Sequence, residues 1–428
     1  MKNCKSRKLF VSVLTLLLAA VMLLNLPGCL AVFAEELTAG MKPEGRSDTL
    51  PEGEDYSLAS NSFGTELLKT VAAAERTLKG DSTGNIMISP LSVMTALSMV
   101  ALGAGGDTLA EFERVMGGID VRMLSEYIGN SYAGGIKDKN FRLTFANSLW
   151  VNQNIGAVPR ESFLHDNVNY FNAQIYRAPF NSRTVRDVNN WAAKNTDGKI
   201  NNIIDRFLPD EVMLLANALY LDAKWQDPYE KTDVSRNTFT TYGGKEQRVD
   251  FMCSSEHCIS DDGAKGMMKY YKYFSDNPKH SFVFAALLPD EGIDVFDYIS
   301  GLNGERLRNI FTTADSLGMV KAYLPKFKFE YKTKLDEQLQ ELGIREAYLP
   351  SADFSAMSEE PLKLSTVTHK TFIEVDEIGT RAGAVSTAMS VQNGLAPAEE
   401  LWLNRPFVFV IYDVSLEIPL FMGVVTNI

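Results

Sequence analysis

The amino-acid sequence predicts an α+β protein with one large domain, and three observations lead to that prediction. Several apolar runs have strand length and suit strands in the middle of a covered sheet: residues 213–221, 282–288, 407–412 and 418–425. Residues 91–102 are apolar nearly all round, as expected of a buried helix. From about Ser57 onward no further linker interrupts the apolar patterning, so we expect one domain over residues 57–428.

Residues 1–34 are predicted to be a secretory signal peptide. Four basic residues precede an apolar run at 9–26, and small residues lie just before Glu35. An alternative is a lipoprotein-type signal, in which Cys29 would carry the lipid. Plain secretion is favoured because Pro27 is an unusual residue at a lipoprotein site.

The segment that follows, residues 35–56, is acidic and rich in Gly and Pro, which predicts a disordered tether. Together with the bacterial style of the signal, this tether suggests a microbial secreted or surface protein.

Two helix boundaries can be predicted from capping residues. Ser89 suits an N-cap and Pro90 suits the first helical position after it. Leucines recur at helical spacing over residues 335–342, and Gly343 then suits the end of that helix.

Charge and cysteine content exclude several classes of protein. Without residues 1–34, which hold four of the 42 basic residues and no acidic one, 38 basic side chains face 54 acidic ones, a net charge of −16. A body this acidic is a poor partner for nucleic acid or heparin-like polyanions. Only Cys253 and Cys258 remain beyond the signal region, so the protein is not a disulfide scaffold. The two cysteines could bridge a short loop or could equally be free thiols.

Enzyme and metal motifs are mostly absent from the sequence. The four histidines, His165, His257, His280 and His369, have no metal-ligand spacing, and no GxSxG motif is present. The glycines at 103–106 end a helix where a phosphate-binding loop should begin one. We therefore expect no metal, no cofactor and no enzymatic activity. The alternative is a catalytic triad that no sequence motif marks.

The most unusual segment is residues 376–400, which consists of Gly, Ala, Ser, Thr and scattered polar residues between two strand-like runs. A loop of this length inside a compact domain is usually functional or disordered. Small residues recur at every second position, which would place them on one face of a β-strand: Thr380, Ala382, Ala384, Ser386 and Ala388. The segment therefore reads either as a loop able to become a strand or as a flexible linker.

Several motifs in order resemble the serpin family from about Ser57 to the C-terminus. They are NIMISPLSV (85–93) with ALSM (96–99), Trp191 with NTDGKI (195–200), NALY (217–220) with Trp225, LPKF (324–327), ADFS (352–355), His369-Lys370, NRPFVF (404–409) and PLFMG (419–423). The resemblance implies the serpin fold, with a large mixed central sheet, further sheets, surrounding helices and an exposed reactive-centre loop at about 377–400.

In this family the loop is bait: a protease attacks it, forms an acyl-enzyme, and is trapped when the cleaved loop inserts as a strand. The hinge residues that match the inhibitory pattern are Glu377, Gly379, Thr380, Ala382 and Ala384. Arg381 departs from the pattern, but it falls on the alternate face of the strand, which should stay in solvent. A charge at Thr380 or Ala382 would instead have indicated a non-inhibitory protein.

The resemblance also implies a sheet-opening gate, a hydrogen-bonded polar cluster beneath the central strands. By motif it falls on Ser89, Ser92, Asn217 and His369, with Trp225 where the loop first enters the sheet. Taken alone, His369 is equally well a satisfied core histidine and Trp225 a large core residue.

The scissile bond is ambiguous. Counting forward from the hinge gives Asn393-Gly394, whereas counting back from 405–406 gives Leu395-Ala396, and cleavage after Val391 or Met389 is also open. The only basic residue of the loop is Arg381, so elastase-, chymotrypsin- or subtilisin-like proteases are expected as targets rather than trypsin-like ones.

The sequence is therefore interpreted as a secreted, monomeric inhibitor that captures one extracellular serine protease in a covalent complex. The alternative is a non-inhibitory serpin acting as a binding, carrier or chaperone module. The physiological protease and any action on cysteine proteases are left open.

Overall fold

Two β-sheets with helices packed on them organise the structure, which is a computed structural model. It describes residues 34–44, 49–132, 135–273, 279–314, 317–380 and 399–428. The residues from Ala34 to Ile428 form one compact unit.

The helices among the described residues are α1 (Tyr56–Lys79), α2 (Pro90–Ala101), α3 (Gly106–Val115), α4 (Val121–Tyr132), α5 (Glu161–Phe171), α6 (Ser182–Asn195), α7 (Val295–Ser300), α8 (Gly304–Thr312) and α9 (Asp336–Leu342). Both predicted boundaries are confirmed. The Ser89 hydroxyl accepts a hydrogen bond from the Ser92 N–H ahead of Pro90. Gly343 ends α9 with φ 121°, a conformation that favours glycine.

The strands are β1 (Glu35–Glu36), β2 (Ile86–Ile88), β3 (Ile136–Lys137), β4 (Phe141–Asn152), β5 (Gln174–Ala178), β6 (Met213–Lys224), β7 (Val234–Thr240), β8 (Glu246–Asp261), β9 (Ala264–Tyr270), β10 (Phe282–Pro289), β11 (Met319–Pro325), β12 (Phe327–Lys334), β13 (Thr366–Val375), β14 (Gly379–Thr380), β15 (Glu400–Trp402), β16 (Phe407–Asp413) and β17 (Ile418–Val425). All four apolar runs that predicted strands lie in this set, at β6, β10, β16 and β17.

The first sheet has the order β1-β5-β4-β6-β14-β13-β12, with β3 beside β4, and the second has the order β15-β11-β8-β9-β10-β16-β17-β2, with β7 beside β8. In the first sheet, β6 and β13 also pair directly and in parallel, from Leu214↔Thr366 to Ala218↔Lys370. The short strand β14 lies between them only at the other end of the pair. This mixture of helices with antiparallel and parallel strands confirms the α+β prediction.

The main core lies between the sheets, and helix α2 passes through it. Every residue of α2 is buried, as its apolar sequence predicts, and the helix packs against β17 and β6. On the opposite face of the first sheet, α6 builds a second apolar cluster in which Trp191 packs with Trp150 and Leu214. The first sheet is thus covered on both faces.

The prediction of a disordered tether at 35–56 is wrong for its first part. Strand β1 pairs antiparallel with β5, and the Glu36 carboxylate accepts hydrogen bonds from Gln174 (3.1 Å) and Tyr176 (3.3 Å). Main-chain pairing at an open sheet edge does not depend on composition, which is why a polar segment can be recruited there. Residues 45–48 lie outside the described part, and α1 begins at Tyr56.

Cys253 and Cys258 are free thiols on one strand, β8, so the disulfide alternative is not supported. Within the described ranges, no helix is long and apolar enough to span a membrane. Across the same ranges, no group of three or more His, Cys, Asp or Glu residues is placed to hold a metal ion.

Candidate functional site

The chain reverses direction directly after β13, at residues 376–379. The Asp376 carboxylate accepts hydrogen bonds from the N–H groups of Ile378 (2.8 Å) and Gly379 (3.1 Å). The Asp376 N–H in turn donates to the Gly379 carbonyl at 3.0 Å. Such an Asx turn fixes the reversal locally, so β14 is directed back alongside β13.

Strand β14 lies between β13 and β6 and pairs antiparallel with both. Thr380 pairs with Val375 of β13 and with Ala223 of β6. A Cβ atom at Gly379 would lie 2.0 Å from the Ala223 carbonyl oxygen, so only glycine fits at that position. The first two residues of the predicted hinge strand therefore already occupy the sheet.

Two stacked aromatic side chains, Trp225 and Tyr271, form hydrogen bonds to this turn and to the strand that follows it. The indole N–H of Trp225 donates to the Asp376 carbonyl at 2.8 Å, and its backbone N–H donates to the Ile378 carbonyl at 2.9 Å. Its ring stacks on Tyr271 with 4.8 Å between centroids. The Tyr271 hydroxyl lies 2.5 Å from the hydroxyl of Thr380, which is 3 % exposed. The polar atoms of the buried Thr380 are thus satisfied inside the sheet.

An ion pair closes the outer side of the turn. The Lys326 ammonium lies 2.8 Å from the Glu377 carboxylate and 3.4 Å from that of Asp250. Burial acts to raise the pKa of Glu377, but the Lys326 ammonium and a backbone hydrogen bond together outweigh it, so the pKa is lowered. Glu377, predicted as a hinge residue, therefore has a defined partner.

Below Thr380 the sheet is not closed. A narrow cleft of about 10 Å³ lies between β6 and β13, lined by Leu221 and Thr380 and by residues 372–374 on one wall. Direct pairing of β6 with β13 stops at Lys370, and residues 371–374 of β13 pair with β12 alone. The sheet thus has an unfilled strand position immediately after the hinge.

Beneath the point where β6 and β13 meet lies a buried polar cluster, formed by Ser89, Ser92, Asn147, Asn217 and His369. The Ser92 hydroxyl donates to the Asn217 side-chain carbonyl, and the Asn217 amide donates to the Ser92 carbonyl (2.9 Å) and to the Asn147 side chain. Asn217 is the register partner of both His369 and Asn147. The cluster therefore links α2 to three adjacent strands.

His369 is held neutral in this cluster. Its Nε2 accepts the Ser89 N–H at 3.0 Å, so the proton of the neutral ring sits on Nδ1. That Nδ1 has no hydrogen-bond partner among the described residues. Complete burial lowers the pKa of His369 to about 4, because the charged form would lose its hydration.

The structure brings together all the predicted gate residues that it describes, with Trp225 at the hinge and the other four in the cluster. Ala382, Ala384 and both candidate scissile bonds, Asn393-Gly394 and Leu395-Ala396, lie outside the described residues.

Three contributors were missed from sequence: Asn147, Tyr271 and Lys326. A polar residue inside the apolar run 145–151 could have indicated Asn147, since buried strands seldom hold an unpaired amide. No local signal marks Tyr271 or Lys326, because each meets the hinge only through the fold.

The protonation of His369 predicts an acid-dependent loss of stability. The folded-state pKa is depressed, so the stabilising contribution is present above pH 6.5 and is lost as the pH falls toward 4. We expect the free energy of unfolding to be about 2 kcal/mol lower at pH 5 than at pH 7.5 through this residue. Urea denaturation of the wild type and of His369→Gln, which keeps an acceptor for the Ser89 N–H, measures the difference. If the free energy of unfolding fell equally with pH in both proteins, a group other than His369 would be responsible.

Comparison with known proteins identifies this arrangement. The family model described as "Serpin (serine protease inhibitor)" matches residues 58–428. An uncharacterized serpin-like protein of Methanosarcina mazei is 28% identical, over 95% of this chain and 96% of its own length. Alpha-1-antitrypsin 1-5 of Mus musculus is 27% identical, over 90% of this chain and 93% of its own length.

Solved structures agree with the sequence comparison. The native state of Tengpin, a thermophilic serpin, superposes with a TM-score of 0.83 at 37% identity, covering 93% of this chain and all of the other. A complex of thyroxine-binding globulin with thyroxine shares the fold, with a TM-score of 0.73 at 23% identity over 87% of this chain and 98% of the other. With a family model that spans most of its length and with this fold, the chain belongs to the serpin family.

Proposed function

We propose that this protein is a suicide-substrate inhibitor of extracellular serine proteases. The observation that carries the proposal is the position of β14, antiparallel to both β13 and β6 at the head of an unfilled strand position. Members of the serpin family are generally protease inhibitors rather than enzymes. In the proposed mechanism the protease serine attacks a loop carbonyl, and the cleaved loop then continues β14 down the sheet before the acyl-enzyme is hydrolysed.

The two registers of β14 support this path. Thr380 pairs with Ala223 and Val375, and continuing both registers brings residue 386 opposite Asn217 on one side and His369 on the other. Asn217 and His369 are at present each other's register partners. A growing strand can therefore enter between β6 and β13 without changing the register of either one, and residue 386, a serine, would meet the polar cluster.

Insertion would be driven by new strand pairing. Each ladder hydrogen bond contributes on the order of 1 kcal/mol net, so a dozen would favour the inserted form by about 10 kcal/mol. The form with the unfilled position would then persist for kinetic reasons, since β6 and β13 must part before the strand can enter.

The target class follows from the loop sequence. We propose cleavage at Asn393-Gly394, with Leu395-Ala396 as the alternative, by elastase-, chymotrypsin- or subtilisin-like proteases. The only basic residue of the loop, Arg381, directly follows the buried Thr380 in the sequence and belongs to the hinge, so trypsin-like proteases lack suitable bait. We also propose that residues 1–34 direct secretion, with lipid attachment at Cys29 as the alternative, and that the inhibitor acts as a monomer.

The rival function is a non-inhibitory binding module. It is kept because the family includes such members, among them thyroxine-binding globulin, solved with thyroxine. The position of β14 in the sheet favours inhibition.

Mixing the purified protein with elastase, chymotrypsin, subtilisin and trypsin tests the proposal. We expect a covalent band near the summed masses on a denaturing gel with at least one of the first three and none with trypsin. Mass analysis of the released C-terminal peptide gives the scissile bond. Cleavage by all of them with no covalent band, and with no rise in the thermal stability of the cleaved protein, would indicate the non-inhibitory function.

The burial of Thr380 predicts that a charge at this position prevents insertion. Thr380→Lys would place an ammonium between β6 and β13, where burying an unpaired charge is costly. We expect the covalent fraction to fall at least tenfold while the rate of loop cleavage is unchanged. Thr380→Ser, which keeps a hydroxyl for Tyr271, is the matched control. Equal trapping by Thr380→Lys would contradict strand insertion from this hinge.

Alternation along the inserted strand gives an independent prediction. Residue 386 shares the buried face with Thr380, whereas residue 385 faces the other side. We expect Ser386→Lys to be cleaved without trapping and Val385→Lys to keep most of its trapping. Quantifying complex against cleaved inhibitor at several molar ratios distinguishes the variants. Similar losses in both would show that the loop does not enter in the register of β14.

A further inference from the structure

A second candidate site lies lower on the first sheet, beneath the segment 200–212 that leads from α6 to β6. The segment is held over the sheet at two points. The Asn189 side chain of α6 accepts the N–H groups of Ile203 (2.8 Å) and Ile204 (3.1 Å) and donates to the Ile204 carbonyl (2.9 Å). Asp205 forms an ion pair with Lys332 of β12 at 2.9 Å. The segment is thereby fixed as a roof.

Under this roof lies a pocket of about 210 Å³. It is smaller than the binding sites of drug-sized molecules, so it suits a compact ligand. Its apolar wall comes from both the roof and the sheet, through Ile203, Ile204, Phe207, Leu208 and Leu214. Such a surface suits the apolar body of a small ligand.

Two polar groups of the pocket are unused. Thr368 is 1 % exposed, and its buried hydroxyl has no hydrogen-bond partner within the described ranges. The neighbouring Thr366, by contrast, donates to the Glu211 carboxylate at 2.9 Å. Arg206, on the exposed rim, has no ion pair or hydrogen bond to the described part of the chain. A buried hydroxyl without a partner is costly, so an occupant that pairs with it would be favoured.

Both unused groups can donate hydrogen bonds, and one of them is a cation. The lysines that also line the pocket are neutralised, Lys332 by Asp205 at 2.9 Å and Lys334 more weakly by Glu211 at 3.9 Å. The unpaired charge at the site is therefore the guanidinium of Arg206. An acceptor with negative charge, such as a carboxylate, complements an unused hydroxyl and an unpaired guanidinium.

We propose that this pocket binds a small amphipathic organic anion. Its apolar body packs against the roof and Leu214, and its carboxylate accepts hydrogen bonds from the Thr368 hydroxyl and the Arg206 guanidinium. The ligand contacts both strands of the seam, by which we mean the line where β6 and β13 pair directly, because Leu214 belongs to β6 and Thr368 to β13. These strands pair directly at this level, Leu214 with Thr366 and Ala216 with Thr368.

The location gives the ligand a regulatory effect, which rests on the proposed function. A strand inserted between β6 and β13 moves them apart by one further strand spacing, about 4.8 Å, and so divides the pocket. A ligand that binds only the closed seam stabilises the uninserted form. Insertion is then slowed by the factor 1 + [L]/Kd, about elevenfold at ten times Kd.

The test uses octanoate as the probe, titrated by calorimetry into the purified, uncleaved protein. Octanamide, which has the same body without the charge, is the ligand control. We expect saturable binding of octanoate with a Kd below about 1 mM and at least tenfold weaker binding of octanamide. No saturation, or equal affinity for both ligands, overturns the proposal.

Three variants locate the ligand. Arg206→Gln and Thr368→Val should each weaken octanoate binding about fivefold or more. Thr368→Val should also be at least as stable as the wild type, since it removes the unpaired hydroxyl. The matched control is Arg186→Gln, whose guanidinium bonds, among the described residues, only the Ser182 carbonyl of its own helix. Unchanged affinity in both pocket variants overturns the site.

The same titration with loop-cleaved protein separates this site from the proposed function. If cleavage raises the thermal stability, octanoate binding should be lost, and retained binding overturns the seam-spanning geometry. If cleavage leaves the thermal stability unchanged, insertion itself has failed, while octanoate binding by uncleaved protein still decides whether the site exists.

Discussion

The parallel hydrogen bonds between β6 and β13 stop at Lys370, and the upper part of the first sheet is arranged around two strands that have not closed on each other. Residues 371–374 of β13 pair with β12 only and are separated from β6 by a cleft, while β14 fills the position above them. A sheet in this condition holds unused pairing capacity in its centre instead of at an edge. A segment of strand-like sequence next to β14 could use that pairing capacity, which is why the loop sequence matters for the proposed function.

The polar cluster stands where closed seam and open seam meet. Buried side-chain networks favour discrete arrangements because a half-satisfied network is costly. Here Asn217 bonds to Ser92 on α2 and to Asn147 on β4, while His369 accepts from Ser89. The cluster thus joins β4, β6 and β13 to the buried helix α2 beneath them. The neutral imidazole, with its unpartnered Nδ1–H, retains hydrogen-bonding capacity for a different arrangement.

At the head of the seam, the hinge depends on contacts from distant parts of the chain. Tyr271 reaches Thr380 from the end of β9, Lys326 reaches Glu377 from the start of β12, and Trp225 closes β6. Together they fix both the direction and the register of β14. The lower part of the seam between β6 and β13 is covered by residues 200–212, whereas at its upper end β14 lies between the two strands.

The sequence by itself determined the class of fold, the strands at β6, β10, β16 and β17, the capped start of α2 and the end of α9, because these features depend on local periodicity and on capping residues. Ordered motifs also identified Ser89, Asn217 and His369. Only the tertiary structure decided that β1 joins a sheet edge, that Cys253 and Cys258 are free, and that Asn147, Tyr271 and Lys326 belong to the site. The physical reason is that each of these rests on contacts between residues far apart in the chain, whose pairing no local pattern encodes.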